Sequence, residues 1–542
     1  MAGALGAAAA RPGGRIWLAA LLALAVLPRA ALLAETWDHA EYRPILAGTD
    51  TQRFHATAAR LAAGDWALSC EAYEQGPVYP TAIALLYRVL GPEPRAVRVA
   101  QALLGVLASL LLYALAGRLL PPPFAFAAAA LYALYGCAAF EENLLLDPSA
   151  LALLYLGLAL ALARAAEGGG AAWLALAGLA LGLAIGIRPN AALLVPFAAA
   201  ALWLASPRRP HVLAGLAFAG ALALPVAPFA LRNLACGEPA LHLSSQGPKV
   251  FLASNLPDAR GTGWALSPDA QALLEGPEVP AAAALAAVAR GALAHPGDFA
   301  LLQLRKLHAL FASYEIPNVA NYYLWRGQAR AFAGFPVPIH AIAALALPGL
   351  ALALRRREAR VPLLVAAGIA ATILPFYVIA RFRVPLVPFL CLFAAVALEA
   401  LWRALRARDA RRAGALAGAV AVAALATTSP VRERIEPGSH RGLGALYEQT
   451  GRADDAAAQY RQALAKRPGY ARAAEDLICL ELERGRRDEA VGVARAHLAA
   501  RPGSEHVARL LAIALGVETP GPGFACRGTW AIDPRQRASQ SR

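Results

Sequence analysis

Long stretches of almost uninterrupted apolar residues alternate with short polar turns from the N-terminus to about residue 430, where the alternation stops. The stretches lie near 16–34, 97–118, 122–140, 149–164, 171–187, 190–205, 211–231, 336–354, 361–380, 384–402 and 412–428. Most approach the roughly 20 apolar residues that an α-helix needs to cross about 30 Å of hydrocarbon, while 149–164 and 190–205 are short. Segments in hydrocarbon must satisfy their own backbone hydrogen bonds, so these read as helices. The pattern predicts an all-α, polytopic transmembrane domain of about 11 spans over 1–430. Two long polar interruptions break it. The first, 35–96, is acidic on balance, and the second, 232–335, is polar and rich in Gly and Pro. Inside the second, 299–314 predicts an interfacial helix, because Arg305, Lys306 and His308 interrupt it too early for a span. The first apolar stretch follows Arg15 and reads as an uncleaved helix, with a signal peptide as the alternative.

From residue 437 the periodicity changes. Gly451, Ala456, Pro468 and Gly469 return 34 residues later as Gly485, Ala490, Pro502 and Gly503. Leu443, Gly444, Tyr447, Ala456, Tyr460, Ala463 and Pro468 stand where a tetratricopeptide repeat wants them. The second unit keeps Leu477, Ala490 and Pro502 but carries Ile478, Glu481, Ala494 and His497 at other motif positions. A helix near 504–516 predicts a cap. Residues 437–516 therefore read as a small helical repeat domain, short for independent stability and expected to dock on the membrane domain or a partner. The tail 519–542 reads as flexible.

Composition supports a membrane chain. Of 542 residues, 58% are hydrophobic and 16% charged, against about 45–50% and about 25% in ordinary soluble domains. The net charge of +15 does not signal nucleic acid. The arginines are scattered, and many flank apolar stretches, as the positive-inside rule expects. Arg11/Arg15, Arg118, Arg164, Arg208/Arg209, Arg355–Arg357 and the run from Arg403 to Arg412 mark alternate sides of successive spans. All fit one cytoplasmic face of the inner membrane, with the N-terminus inside and loops 35–96 and 232–335 and the repeats outside, on the periplasmic side. Six cysteines show no metal spacing. Cys70 and Cys236 can pair if both loops face an oxidising compartment.

Several polar residues stand where the membrane pattern does not ask for them. Asp50 reads as a solvated helix N-cap or as a general base near the membrane surface. Asp38, Glu41 and Asp65 are weaker versions of the same idea. Glu141, Glu142 and Asp147, in FEENLLLDPSA, cluster in a turn between two spans. They read as a solvated hairpin or as acids facing the same cavity as Asp50. Arg188, Arg232, Arg381 and Arg383 fall at outer helix ends. Such arginines either snorkel to lipid headgroups or form a phosphate site, since guanidinium groups bind phosphate oxygens bidentately. Signatures of zinc proteases, P-loop enzymes, serine hydrolases and dinucleotide binders are absent from the sequence. The histidines are scattered and suggest no metal.

The ordered series DTQRFH…LAAGDW, EQGPVYPTAIALLY, EENLLLDP, GLAIGIRPN, SSQG…N and ARFRVPLVP resembles the bacterial glycosyltransferase family 39 group over residues 10–430. That group comprises relatives of protein O-mannosyltransferases and aminoarabinose transferases with the GT-C fold. The resemblance implies inverting transfer of a sugar from a polyprenyl-phosphate carrier in the membrane lipid to a protein, lipid or glycan acceptor at the outer membrane face. It implies that Asp50 is the catalytic base and that Arg381 and Arg383 meet the carrier phosphate; Arg188, from its place at an outer helix end, is a further candidate for the donor phosphate. Glu141 and Asp147 match a second acidic region more loosely. Many relatives carry an adjacent acidic pair in the first loop, whereas Thr51 follows Asp50 here, which leaves a divalent metal open. Two rivals remain at this stage. A transporter or flippase of lipid-linked glycans predicts mid-membrane charges and repeated spans. A non-catalytic scaffold recruiting partners through its repeats predicts no convergent acids and arginines. The repeats suggest a protein partner in either case.

Overall fold

The computed structural model describes residues 14–39, 42, 49–168, 170–205, 212–262, 268–431, 435–519 and 526. The expectations resting on Arg11, Glu41, Arg208, Arg209 and most of the tail lie outside the described residues. The chain forms two compact units. The first comprises Met1–Ala34, Phe54–Asn318 and Arg330–Pro430; the second comprises Glu35–Arg53, Val319–Ala329 and Val431–Arg542. Two stretches of the polar loops thus group with the repeats. Among the described residues there is no strand, only the isolated bridges Tyr135–Val337 and Thr262–Val378.

Every predicted span has a helical counterpart, but the structure does not establish 11 spans. Gly14–Glu35, Pro94–Ala116, Pro148–Ala166 and Ala380–Arg406 are long and apolar enough to cross a membrane. Gly215–Ala223 and Ala227–Ala235 make a fifth if that pair, bent by 52°, is one span. Elsewhere helices break early for local reasons. Pro122–Ala133 stops at Leu134 and a separate short helix, Gly136–Glu141, follows. The stretch after Arg188 opens as a 3₁₀ turn, Pro189–Leu194, whose proline supplies the fixed φ of a first turn. Val78–Leu90, inside the first long loop, is a further apolar helix that the span reading passed over. The predicted interfacial segment is the helix Pro296–Phe311, where Leu301, Leu304 and Leu307 are exposed while Lys306 is buried.

In lipid no hydrophobic force drives helix against helix, so close packing at small residues must do so. Gly178 and Gly182, four apart on Ala171–Ile187, let that helix approach Val212–Ala223. A Cβ on either would come within 2.1 or 2.2 Å of the carbonyl oxygens of Phe218 and Leu222. Gly349 on Ile339–Ala353 does the same against Val387–Arg406, where a Cβ would meet the Phe393 carbonyl oxygen at 1.8 Å.

The second unit holds the repeats as the helices Pro437–Gln449, Ala453–Lys466, Ala471–Glu483, Arg487–Ala500 and Glu505–Ala514. The 34-residue period recurs in the backbone. Gly451 and Gly485 turn the two hairpins at φ of 75° and 73°. Behind them the Arg452 and Arg486 amides donate to the Tyr447 and Glu481 carbonyls, each at 2.8 Å. Gly444 is small because the Tyr460 ring lies against it, 2.6 Å from where a Cβ would stand.

Candidate active site

The acidic turn after Gly136–Glu141 is not a solvated hairpin. Glu141, Glu142 and Asp147 are 6%, 2% and 2% exposed. A buried turn must satisfy its own polar groups. The Gln101 side-chain amide on Pro94–Ala116 donates to the Glu142 and Leu144 carbonyls at 2.8 and 2.6 Å. The Tyr79 hydroxyl is 2.8 Å from the Leu146 carbonyl and 2.6 Å from Gln101 Oε1. Arg98 holds the Asn143 side-chain oxygen through Nε and Nη2, at 3.1 and 2.8 Å.

The three acids have different fates. Glu142 is taken bidentately by Arg29, at 2.8 Å on each oxygen, and Arg29 Nη1 also donates to the Ala133 and Ala25 carbonyls. Gly105 makes room for this pair, since a Cβ there would lie 2.0 Å from Glu142 Oε1. Glu142 is therefore a packing element of the bundle. Asp147 precedes the helix Pro148–Ala166 without capping it. Its carboxylate receives Arg188 Nε and Nη2 at 2.5 and 2.6 Å, a fork-to-fork pair, and Arg381 Nε lies 3.9 Å away. Glu141 is buried nearby, and its Oε2 has no hydrogen-bond partner. Burial pushes the Glu141 carboxyl up to about 8, against the pull of Arg381 and Arg188.

The arginines divide likewise. Arg188 ends Ala171–Ile187 in extended backbone, and its guanidinium lies 4.3 Å from the centre of the Phe382 ring. Phe382 also meets Arg381, at 5.4 Å. Asn190 anchors the same corner by donating to the Thr372 carbonyl at 2.8 Å. A pocket opens here, lined by apolar Leu151, Ile369 and Ile373 and by Tyr155, Arg188 and Asn190. Arg383 is elsewhere. Fully buried, it is committed to the Glu315 carboxylate and donates to the Ala309, Ala312 and Tyr314 carbonyls. Glu315 accepts the Tyr135 hydroxyl at 2.7 Å on its other oxygen. Arg383 thus holds the chain after Pro296–Phe311 to the segment that carries Arg381. Arg232 is spent on the first loop, donating to the Ala67 and Glu71 carbonyls and lying 4.5 Å from the centre of the Tyr73 ring.

The structure brings Asp147, Arg188 and Arg381 into one buried assembly with Glu141 beside it, and it separates Arg383 from them. Asp50 falls in the second unit. It opens the helix Asp50–Ala62, where a helix N-terminus favours an anion, and lies 3.7 Å from Arg53. Among the described residues no group of three or more His, Cys, Asp or Glu side chains is placed to hold a metal ion. Sequence reasoning missed Glu315, Arg98, Gln101, Tyr79 and Phe382. Only Glu315 carried a signal, as a carboxylate directly after an amphipathic apolar helix. The cysteines pair as Cys70–Cys236 and Cys479–Cys526, and Cys137 and Cys391 stay reduced and buried.

Residues 74–231 match the family model described as dolichyl-phosphate-mannose-protein mannosyltransferase, and residues 448–513 match that of the tetratricopeptide repeat. No curated protein matches the chain. Among solved structures, the oligosaccharyltransferase AglB of Archaeoglobus fulgidus, in complex with an inhibitory peptide and a dolichol-phosphate, is 14% identical at a TM-score of 0.43. That match covers 82% of this chain and 59% of the oligosaccharyltransferase. ArnT of Cupriavidus metallidurans bound to undecaprenyl phosphate is 16% identical at 0.35, covering 93% of this chain and 75% of ArnT. The chain spans about three fifths of the oligosaccharyltransferase's length.

Proposed function

We propose that this chain is an integral-membrane glycosyltransferase that moves a sugar from a polyprenyl-phosphate donor to a protein, lipid or glycan acceptor at the outer face of the cytoplasmic membrane. The observation that carries the reading is the Arg188–Asp147–Arg381 assembly beside a pocket walled by both polar and apolar side chains, partly within the segment that matches the mannosyltransferase model. A lipid phosphate needs cations at its oxygens and apolar walls along its chain. Arg188 and Arg381 supply the first, and Leu151, Ile369 and Ile373 the second. Asp147 orients Arg188, and Glu141 is a second acid within the same field.

In the transfer, the acceptor hydroxyl attacks the sugar's anomeric carbon while the bond from that carbon to the phosphate oxygen breaks. The acceptor's proton passes to a carboxylate, for which Asp50 is the candidate, and the departing phosphate takes up charge that the arginines neutralise. Arg383 acts at one remove, as a positioning residue that fixes the segment bearing Arg381.

Two observations support the outer orientation of the loops and repeats. Both disulfides lie in segments assigned outside by the arginine pattern, while the free cysteines are buried in apolar helices. Two stretches of the outer loops also belong to the same compact unit as the repeats.

The test is sugar transfer in membranes from a polyprenyl-phosphate sugar. Asp50→Asn is expected to abolish transfer while membrane insertion stays normal, and Arg381→Ala to raise the KM for the donor at least tenfold. A fully active Asp50→Asn enzyme would remove Asp50 as the base, and an unchanged donor KM would remove Arg381 from the phosphate site.

A further inference from the structure

The Cys479–Cys526 disulfide joins a residue inside the repeats to one beyond their last helix, 47 positions on. Cys479 is fully buried on Ala471–Glu483, in an apolar cluster with Ala474, Ile478, Ala494, Val507 and Leu510. Cys526 packs against that cluster, and its carbonyl lies 3.2 Å from His506 Nε2 on Glu505–Ala514. Residue 526 therefore touches the first helix of the second repeat and the helix one period later, which pack against each other. Rows of equivalent helices form the extended binding faces of repeat proteins. One turn before Cys479, the Glu475 side chain is 4% exposed and its Oε2 has no hydrogen-bond partner. A buried carboxylate oxygen without a donor is costly, and it marks a face built to meet a hydrogen-bonding or cationic ligand.

We propose that the face formed by Glu475, Cys479 and His506 is a peptide-docking groove, that the chain's own tail at Cys526 occupies it, and that a dithiol reductant opens it. A thiolate of the dithiol attacks the half-buried Cys526 sulfur, forming a mixed disulfide, and Cys479 leaves and takes up a proton. The second thiol of the reductant then displaces Cys526 as a thiol. Two electrons and two protons pass from the dithiol to the cysteine pair, and the reductant leaves as a disulfide. The covalent tie matters because a tethered segment competes at an effective concentration in the mM range, which excludes a weakly binding peptide in trans. The inference is independent of the transferase reading.

The experiment uses the full chain in detergent and a version ending at residue 518, with a synthetic peptide covering residues 519–532. The peptide cysteine is supplied as its 2-thiopyridyl disulfide, so that in the shortened chain the Cys479 thiolate attacks the peptide sulfur and thiopyridone leaves; this exchange is expected to run at least ten times faster than with a scrambled peptide activated in the same way. In the oxidised full chain, the activated peptide should react at Cys479 only after dithiol treatment and removal of the dithiol. Equal rates for the two peptides would overturn the groove, and a full chain that reacts without reductant would overturn the latch. Hydrogen exchange in the unmodified chain guards against misfolding of the shortened one. Dithiol should raise exchange several-fold over Ala471–Glu483 and Glu505–Ala514 and leave Pro437–Gln449 unchanged. No rise, or a disulfide found between two chains, would also refute the latch.

Discussion

A carboxyl group whose outer oxygen lacks a hydrogen-bond donor, buried beside two guanidinium groups and a second carboxylate, holds its proton in preference to ionising. Glu141 is in that position, and burial raises its carboxyl from the ordinary 4.5 to about 8. The folded state therefore binds more protons than the unfolded state between those values, and stability falls as pH rises through that window. Melting of the detergent-solubilised protein should show a temperature that drops from pH 6 to pH 9, and Glu141→Gln should flatten the dependence. Arg383 makes the opposite case, a cation wholly satisfied by protein. Its removal leaves Glu315 buried without its counter-ion, for which about 3–5 kcal/mol of destabilisation is the usual cost. Arg383→Ala should lower the melting temperature, whereas Arg381→Ala should act mainly on donor use. Thermal melts and donor titrations of the two variants separate the roles. The sequence marked both residues through one motif, ARFRVP, and could not tell them apart. Two positions along a short helix turn one side chain toward Asp147 and the other toward Glu315.

At the scale of helices, apolar periodicity located nearly every segment but not how each ends or what it touches. Span 122–140 breaks at Leu134, and this break lets Gly136–Glu141 turn the acids into the bundle. Hydropathy cannot see such a break, because both halves are equally apolar. The same blindness covers packing glycines. Gly349 reads as an ordinary residue of an apolar stretch, yet its missing Cβ lets Ile339–Ala353 lie on the backbone of Val387–Arg406. Gly349→Ala should push these helices apart. Overpacking of this kind costs about 1–3 kcal/mol, measurable as a lowered melting temperature. A melting temperature unchanged by Gly349→Ala would show that the helices are not packed through this residue.

At the scale of the whole chain, the cysteines report on compartment. Cys70 ties the first loop to Cys236 at the start of the second, with the Arg232 guanidinium on the same first-loop segment. If both loops face the periplasm, a membrane-impermeant maleimide should leave Cys70 and Cys236 unlabelled in intact cells until a reductant is added. It should then label them, while Cys137 and Cys391 react only after denaturation. Labelling without reductant would mean that the bond is not formed in the cell.

Sequence alone determined that the chain is helical, that its first 430 or so residues are built for lipid, and that a 34-residue repeat follows. These properties are sums over neighbouring residues, so composition and period reveal them directly. It also singled out Asp147, Arg188 and Arg381, because charge at the end of an apolar stretch is locally anomalous. Which charges meet was decided by tertiary structure. Arg29 and Glu142 stand 113 residues apart, and Arg383 and Glu315 stand 68 apart. Such pairings depend on how helices cross and where they break, and no local pattern encodes either. The repeat groove follows the same rule. Cys479 and Cys526 are unremarkable in sequence, and only the packing of Ala471–Glu483 beside Glu505–Ala514 makes them partners.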